Sequence, residues 1–193
     1  MVFCAAAGLG VLAVAVAWNR TRQDRNEFLL SARLAEMAQT DGLTGCLNHR
    51  AFHERVAVEI ERASRYSLPL ALLAVDIDNF KAINDTYGHP VGDDVLRDVG
   101  AALRSCLRSA DIVGRIGGDE FAILLTHTGP DGAAVQAQRV RAGINPAATV
   151  PVTISIGIAI LDPTDASARR LLSDADGALY QVKERGRGGI AAG

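Results

Sequence analysis

Two acidic pairs stand out by residue type and by neighbourhood. Asp76-Ile77-Asp78 closes the apolar run Leu70-Ala-Leu-Leu-Ala-Val75, and Asp119-Glu120 follows directly on Gly117-Gly118. A carboxylate at the end of a buried strand is costly unless paired or solvated, and strand ends in such sheets are where ligands sit. Carboxylate and backbone carbonyl oxygens suit Mg2+, which usually also takes oxygens from a substrate phosphate. Asp76 and Asp78 are equally what a solvated strand end, or a cap for a helix starting at Asn79, would carry. Asp119-Glu120 is open to a similar choice. The glycines before it allow positive φ, a tight turn and close approach of backbone to a ligand, yet a plain hairpin also has polar residues at its tip. The two pairs gain weight together. If the hairpin lies beside the central strand, Asp76 and Asp119 can share a cation, and two such carboxylates with metals align a 3′-hydroxyl against an α-phosphate. Lys183 and Arg187 are placed either to neutralise a triphosphate or to complement a helix end as solvated cations. His49 and His53, four residues apart, have no evident third ligand and read as an ordinary helix surface.

The elements that must position these groups alternate along the chain. Helical spacing predicts a helix near 48–66, with Phe52, Val56, Ile60 and Ala63 on one face. The run 70–75 is continuous and apolar, as a buried central strand requires. A short helix over 79–87 stops at Gly88. A longer one runs from Gly92 to Leu107. Asp111–Ile116 and Glu120–Leu125 are strands joined by the glycine pair. Residues 131–144 are helical, Val152–Leu161 is strand-like, Arg169–Arg185 is helical, and the last residues form a short edge strand. This order predicts an α+β sandwich of elaborated ferredoxin-like type.

Composition sets the outer limits. The 193 residues are 49% hydrophobic and 22% charged, which excludes a disordered or collagen-like chain. A formal charge of −2 gives no reason to expect nucleic-acid binding. Cys4, Cys46 and Cys106 form neither a disulfide framework nor a zinc motif, and a reducing compartment is the simpler expectation.

The N-terminal part reads separately. Val2 to Trp18 carries no charged side chain. As a helix it spans about 25 Å, just short of the roughly 30 Å hydrocarbon core. Arg20, Arg22 and Arg25 follow at once, which orients that flank toward the cytoplasm. The expected organisation is a transmembrane helix over 1–19, a helical stalk over 20–40 and a domain over 41–193. That is a single-pass protein of the cytoplasmic (inner) membrane with its domain in the cytoplasm. Leu30, Leu34 and Met37 fit a short coiled-coil seam or a face packed on the domain.

The domain resembles a known family. Gly117-Gly118-Asp119-Glu120-Phe121 reads GGDEF, the motif that names the GGDEF-type diguanylate cyclases. Asp41-Gly-Leu-Thr-Gly-Cys-Leu-Asn48 resembles the family's opening DxLTGxxN. Asp76-Ile-Asp-Asn-Phe-Lys-Ala-Ile-Asn-Asp85, with Gly88-His89 and Gly92-Asp93, resembles its metal and guanine segment, and Lys183-Glu-Arg-Gly-Arg187 its terminal KxxGR. Together these cover residues 41 to about 190. Two departures are visible: His49 stands where arginine is more usual, and Gly188 where asparagine is common.

The resemblance implies a nucleotidyl-cyclase-like fold, a central and mostly antiparallel sheet flanked by helices. It implies that Asp76, the Ile77 carbonyl and Asp119 bind Mg2+ (or Mn2+), with Glu120 as a further ligand or a support for the turn. Asp119 and Glu120 are the catalytic candidates. Asn84 and Asp93 would hydrogen-bond guanine. Lys183 and Arg187 would meet the phosphates, with the backbone near Phe80 and Lys81. Gly117 and Gly118 would lie against the nucleotide. The implied reaction condenses two GTP into cyclic di-GMP with release of two pyrophosphates, in a homodimer holding one GTP per domain. Arg108-Ser-Ala-Asp111 matches RxxD, the family's inhibitory product site. The stretch before the domain is too short for the family's usual input module, which leaves two expectations: an upstream sensor protein as partner, or a chain that is a fragment. The alternatives are a GGDEF module that binds GTP or cyclic di-GMP without turnover, and another metal-dependent nucleotidyl transferase such as a purine nucleotide cyclase.

Overall fold

The computed structural model describes Trp18 and residues 39–144 and 150–193. The expected membrane span and the Leu30–Met37 seam lie outside the described residues, Trp18 excepted. Among the described residues no helix is long and apolar enough to cross a membrane. The chain divides before Gln39, and the unit from Gln39 onward carries the fold.

Helix α1 (His49–Tyr66) starts where Asn48 accepts the Ala51 N–H at 2.9 Å and buries Phe52, Val56, Ile60 and Ala63. Strand β1 (Leu70–Ile77) is buried along its whole length. Helices α2 (Phe80–Tyr87) and α3 (His89–Cys106) follow without a break except Gly88. Helix α3 begins three residues before the expected Gly92, because Pro90 needs no hydrogen-bonded N–H in a first turn. Then come β2 (Ile112–Arg115), β3 (Glu120–Thr126), α4 (Pro130–Ile144), β4 (Ile154–Ile160), α5 (Ala168–Glu184) and β5 (Ile190–Ala192).

The sheet order is β2-β3-β1-β4-β5. The first four strands are antiparallel, with Asp76 opposite both Glu120 on β3 and Ser155 on β4. Strand β5 takes the edge beside β4 and pairs with it in parallel. Helices cover both faces. Leu70, Leu72 and Ala74 face the core shared with α1 and α5; Ala71, Leu73, Val75 and Ile77 face the core shared with α3 and α4. The alternation of β1 therefore splits one apolar run between two cores. At Gly157 on β4 an added Cβ would overlap the Ala175 carbonyl and the Leu179 amide of α5. The helix backbone rests directly on the sheet there, which brings its C-terminal turn to the end of β1.

Candidate active site

The end of β1 gathers most of the predicted groups. Asp76 is 7% exposed, and among the described residues the one hydrogen-bond partner of its carboxylate is Lys183 of α5, whose Nζ lies 2.7 Å from Oδ2. Burial pushes the Asp76 carboxyl above the usual carboxylate range; the Lys183 ammonium pulls it back, and the charges of Asp119 and Asp78 add to the rise. The Ile77 N–H donates to the Asp119 carbonyl at 3.3 Å, which seats the Gly118–Asp119 turn against the strand end. Asp76, Ile77 and Asp119 are thus brought to one corner. Among the described residues no three His, Cys, Asp or Glu side chains form a cluster fit for a metal ion. The donors on offer are two carboxylates and a backbone carbonyl, an all-oxygen set that fits a hard divalent cation whose remaining positions go to water and phosphate.

The glycine pair behaves differently from expectation. Neither Gly117 nor Gly118 has positive φ. At Gly117 a Cβ would overlap the Glu120 carboxylate, the movable end of an exposed side chain, so a larger residue there would push Glu120 aside. At Gly118 nothing lies within 4 Å of an added Cβ, which leaves open space beside the backbone. Glu120 is exposed, opposite Asp76 in register.

The other candidates sit on α2, α3 and the chain's end. Asn84 lies over Gly92 so closely that any Cβ there would displace its amide, and the Phe80 ring would be 3.4 Å from the same atom. This packing places half-buried Asn84 next to exposed Asp93. Asn79 caps α2 with no side-chain bond, so the amides of Phe80 and Lys81 are not taken by it. Lys81 and Arg187 are exposed, and their charged ends pair with none of the described residues.

Residues 38–189 match the family model described as "Diguanylate cyclase, GGDEF domain". The chain belongs to the GGDEF family. It is similar to the probable diguanylate cyclase DgcC of Escherichia coli K12, at 39% identity over 160 residues, covering 80% of this chain and 43% of that protein. It therefore spans about two fifths of the length of DgcC. It is also similar to the GGDEF domain of DgcB from Caulobacter crescentus, solved in complex with c-di-GMP, at 30% identity and a TM-score of 0.77 over 80% of this chain and 95% of that one. Diguanylate cyclase SiaD of Pseudomonas aeruginosa, solved with its activator SiaC, matches at 33% identity and a TM-score of 0.77 over 95% of this chain and 72% of that one.

The second predicted site of this GGDEF domain lies at the opposite end of β3. Asp111 accepts from the Arg108 N–H at 3.1 Å and the Thr126 N–H at 3.3 Å, so its carboxylate closes the turn between α3 and β2. The Arg108 guanidinium is exposed and pairs with none of the described residues. It lines a cleft of about 260 Å³ with Asp111, His127, Thr128 and Gln136. Sequence spacing does not choose between Arg139 and Arg141 as its helper. The structure separates them: Arg139 donates to Gln136 in this cleft, whereas Arg141 donates to the Gly188 carbonyl at 3.0 Å. The rings of His49 and His53 lie 4.3 Å apart and tilted, and among the described residues no third ligand joins them.

Two groups of the GGDEF domain escape a sequence reading. Arg115 of β2 donates from Nη1 to Asp41 at 3.2 Å, and from Nε and Nη2 to the Gly118 carbonyl at 3.2 and 2.6 Å. Asp41 also takes the Thr44 N–H and hydroxyl at 2.9 and 2.7 Å. One guanidinium thus ties the opening motif to the Gly118–Asp119 turn. The other group is Asp78 with its hydroxyl partners, taken up below.

Proposed function

We propose that this chain is the catalytic part of a diguanylate cyclase, joining two GTP molecules into cyclic di-GMP and releasing two pyrophosphates. The observation that carries this is the Asp76 corner, a buried carboxylate beside the Gly118–Asp119 turn whose one bonded partner is a long, withdrawable ammonium. Family membership and the c-di-GMP bound by the similar DgcB domain support the choice of substrate and product.

Each residue has a task in this reading. Asp93 accepts from the N1–H and N2–H of guanine, and the Asn84 amide both donates and accepts. Adenine offers a different edge and would leave these groups unpaired. Arg187, Lys81 and the first amides of α2 hold the phosphates. Lys183 turns from Asp76 toward the incoming triphosphate. Asp76, Asp119 and the Ile77 carbonyl are then free to hold Mg2+ or Mn2+. Bound there, the cation supplies a lowered pKa for the 3′-hydroxyl and charge neutralisation at the α-phosphate. Gly118 lets the nucleotide lie against bare backbone. One domain offers one such corner and the product needs two new phosphodiester bonds, so two copies face each other in a homodimer.

Cyclic di-GMP returns to the Arg108–Asp111 cleft as an inhibitor, where arginine can pair with phosphate or with the Hoogsteen edge of guanine. The apolar run 2–18 and the arginines behind it support a single-pass anchor in the inner membrane. An upstream sensor protein supplies the signal; the similar SiaD is solved in complex with an activator, SiaC.

The test uses the full purified chain with GTP and Mg2+, with products resolved by chromatography and mass. Cyclic di-GMP that disappears in Asp119→Ala is expected. A dimeric preparation that binds GTP and forms no product would make the domain a nucleotide-binding module instead.

A further inference from the structure

Asp78 stands two residues from Asp76 and is buried as deeply, at 5% exposure, but none of the described cations pairs with it. Its Oδ1 takes the Ser155 hydroxyl at 2.6 Å. Its Oδ2 takes the Thr153 hydroxyl at 2.6 Å and the Gly188 N–H at 3.0 Å. The same N–H lies 3.2 Å from Ser155 Oγ. Three neutral donors from two distant stretches of chain therefore converge on one carboxylate. Strand pairing alone does not require this. Strands β1 and β4 are already laddered from Ala71–Ile160 to Ile77–Ile154, and the Asp78 N–H extends the ladder to Thr153. What the carboxylate adds is its hold on Gly188, the residue after Arg187.

Arg187 is otherwise poorly placed to keep one conformation. It sits at φ 65°, in the left-handed region that L-residues enter at a cost, between Gly186 at φ 112° and Gly188 at φ 64°. Its own N–H is fixed to the Val182 carbonyl at 3.1 Å. The peptide on its other side is fixed by Asp78. Just beyond, the Gly188 carbonyl takes Arg141 from α4 at 3.0 Å. With both flanking peptides held, the Arg187 guanidinium, which pairs with none of the described residues, leaves the chain in a set direction.

We propose that Asp78 is a positioning residue. By gripping the Gly188 N–H it locks the backbone of Arg187, so that this guanidinium is pre-aimed at the nucleotide phosphates. The inference rests on the cyclase reading above. It differs from a metal-ligand role for Asp78 in what it demands of the side chain: an acceptor for an N–H, not a charge.

Asp78→Ala, Asp78→Asn and Arg187→Ala, singly and combined, would be compared for binding of a non-hydrolysable GTP analogue with Mg2+. Exchange of the Gly188 amide would be followed in parallel. Asp78→Ala weakens binding about tenfold, the scale of one charge-assisted hydrogen bond. It also speeds Gly188 exchange, and it adds nothing in the Arg187→Ala background. Asp78→Asn keeps an acceptor and stays within about twofold of wild type. The preference for guanine over adenine is the same in all. Should the alanine variant fail to fold, Arg141→Ala loosens Gly188 from the exposed side. It is expected to weaken binding about threefold, again not additively with Arg187→Ala. Additive losses, or an asparagine variant no better than alanine, would overturn the positioning role. Wild-type protein that does not bind the analogue would overturn the cyclase reading itself, whereas normal binding by a variant with fast Gly188 exchange would remove only the clamp.

Discussion

At one end of β3 the buried carboxylate of Asp76 leans on a single long side chain, Lys183. At the other end Asp111 is gripped by the backbone amides of Arg108 and Thr126. Both carboxylates lie where a strand meets a turn, and both belong to a motif with a basic partner. They differ in what holds them. A backbone amide cannot be withdrawn without undoing the turn, so Asp111 is committed to the fold and its neighbour Arg108 is left free. An ammonium on four methylenes can swing away, so Asp76 is available to something else. Burial of Asp76 is a cost the fold carries for that availability.

The largest effect expected is on Asp76 and Asp111 together. Asp76→Asn should lower cyclic di-GMP formation by at least about a hundredfold, since a metal-supported step is worth several kcal/mol. Its melting temperature at neutral pH should be no lower than wild type. Asp111→Ala should instead destabilise by about 1–2 kcal/mol, because the turn loses the acceptor shared by the exposed Arg108 amide and the part-buried Thr126 amide. It should melt a few degrees lower. Arg108→Ala should remove inhibition by added cyclic di-GMP without moving the melting temperature. If Asp76→Asn melted below Asp111→Ala, the contrast between the two ends would be wrong.

A smaller effect sharpens the same contrast. Lys183→Gln leaves the Asp76 carboxylate without its built-in cation. Binding of Mn2+ in the absence of nucleotide, read by electron paramagnetic resonance, should tighten by roughly threefold to tenfold, the scale of a part-exposed ion pair. Weaker Mn2+ binding would mean that Lys183 builds the corner and does not compete for it.

The smallest effect concerns Asp41. Burial pushes its carboxyl up, but the Thr44 hydrogen bonds and Arg115 more than reverse this and leave it below the usual 3.8. A lowered carboxyl contributes stability that is present above its unfolded value and lost as pH falls through the folded one. Asp41→Asn should therefore be less stable than wild type at neutral pH. The two chemical-denaturation curves should converge as pH drops below about 4. A gap that widened on acidification would contradict the assignment.

Much of the fold was legible because its signals are local. The run from Leu70 to Val75 announces a strand buried on both sides, and the Phe52–Val56–Ile60 spacing announces the helix that covers it. The boundary of α3 was misjudged because Gly92 reads as a helix start, while Pro90 already occupies the first turn. The last residues read as an edge strand, but the pairing of β5 with β4 leaves no trace in Ile190-Ala191-Ala192. At the site, Asp76, Asp119 and Lys183 were legible through motif resemblance. Asp78 was visible only as half of an acidic pair, since its partners lie 75, 77 and 110 residues away. Thr153 and Ser155 gave one hint, their two-residue spacing on one face of a strand among apolar neighbours. Arg115 and Asp41 are 74 residues apart and carry no mutual signal at all.

The contact at Gly157 makes α5 a lever. Its backbone bears on the sheet beside Ala175, and Lys183 lies eight residues farther along the helix. Eight residues of helix are about 12 Å of arm. A tilt of about 5° around that bearing point would carry the end of the helix about 1 Å, enough to part a 2.7 Å ion pair at Asp76. Substituting even alanine at Gly157 would shift the fulcrum itself, and the reach of Lys183 with it.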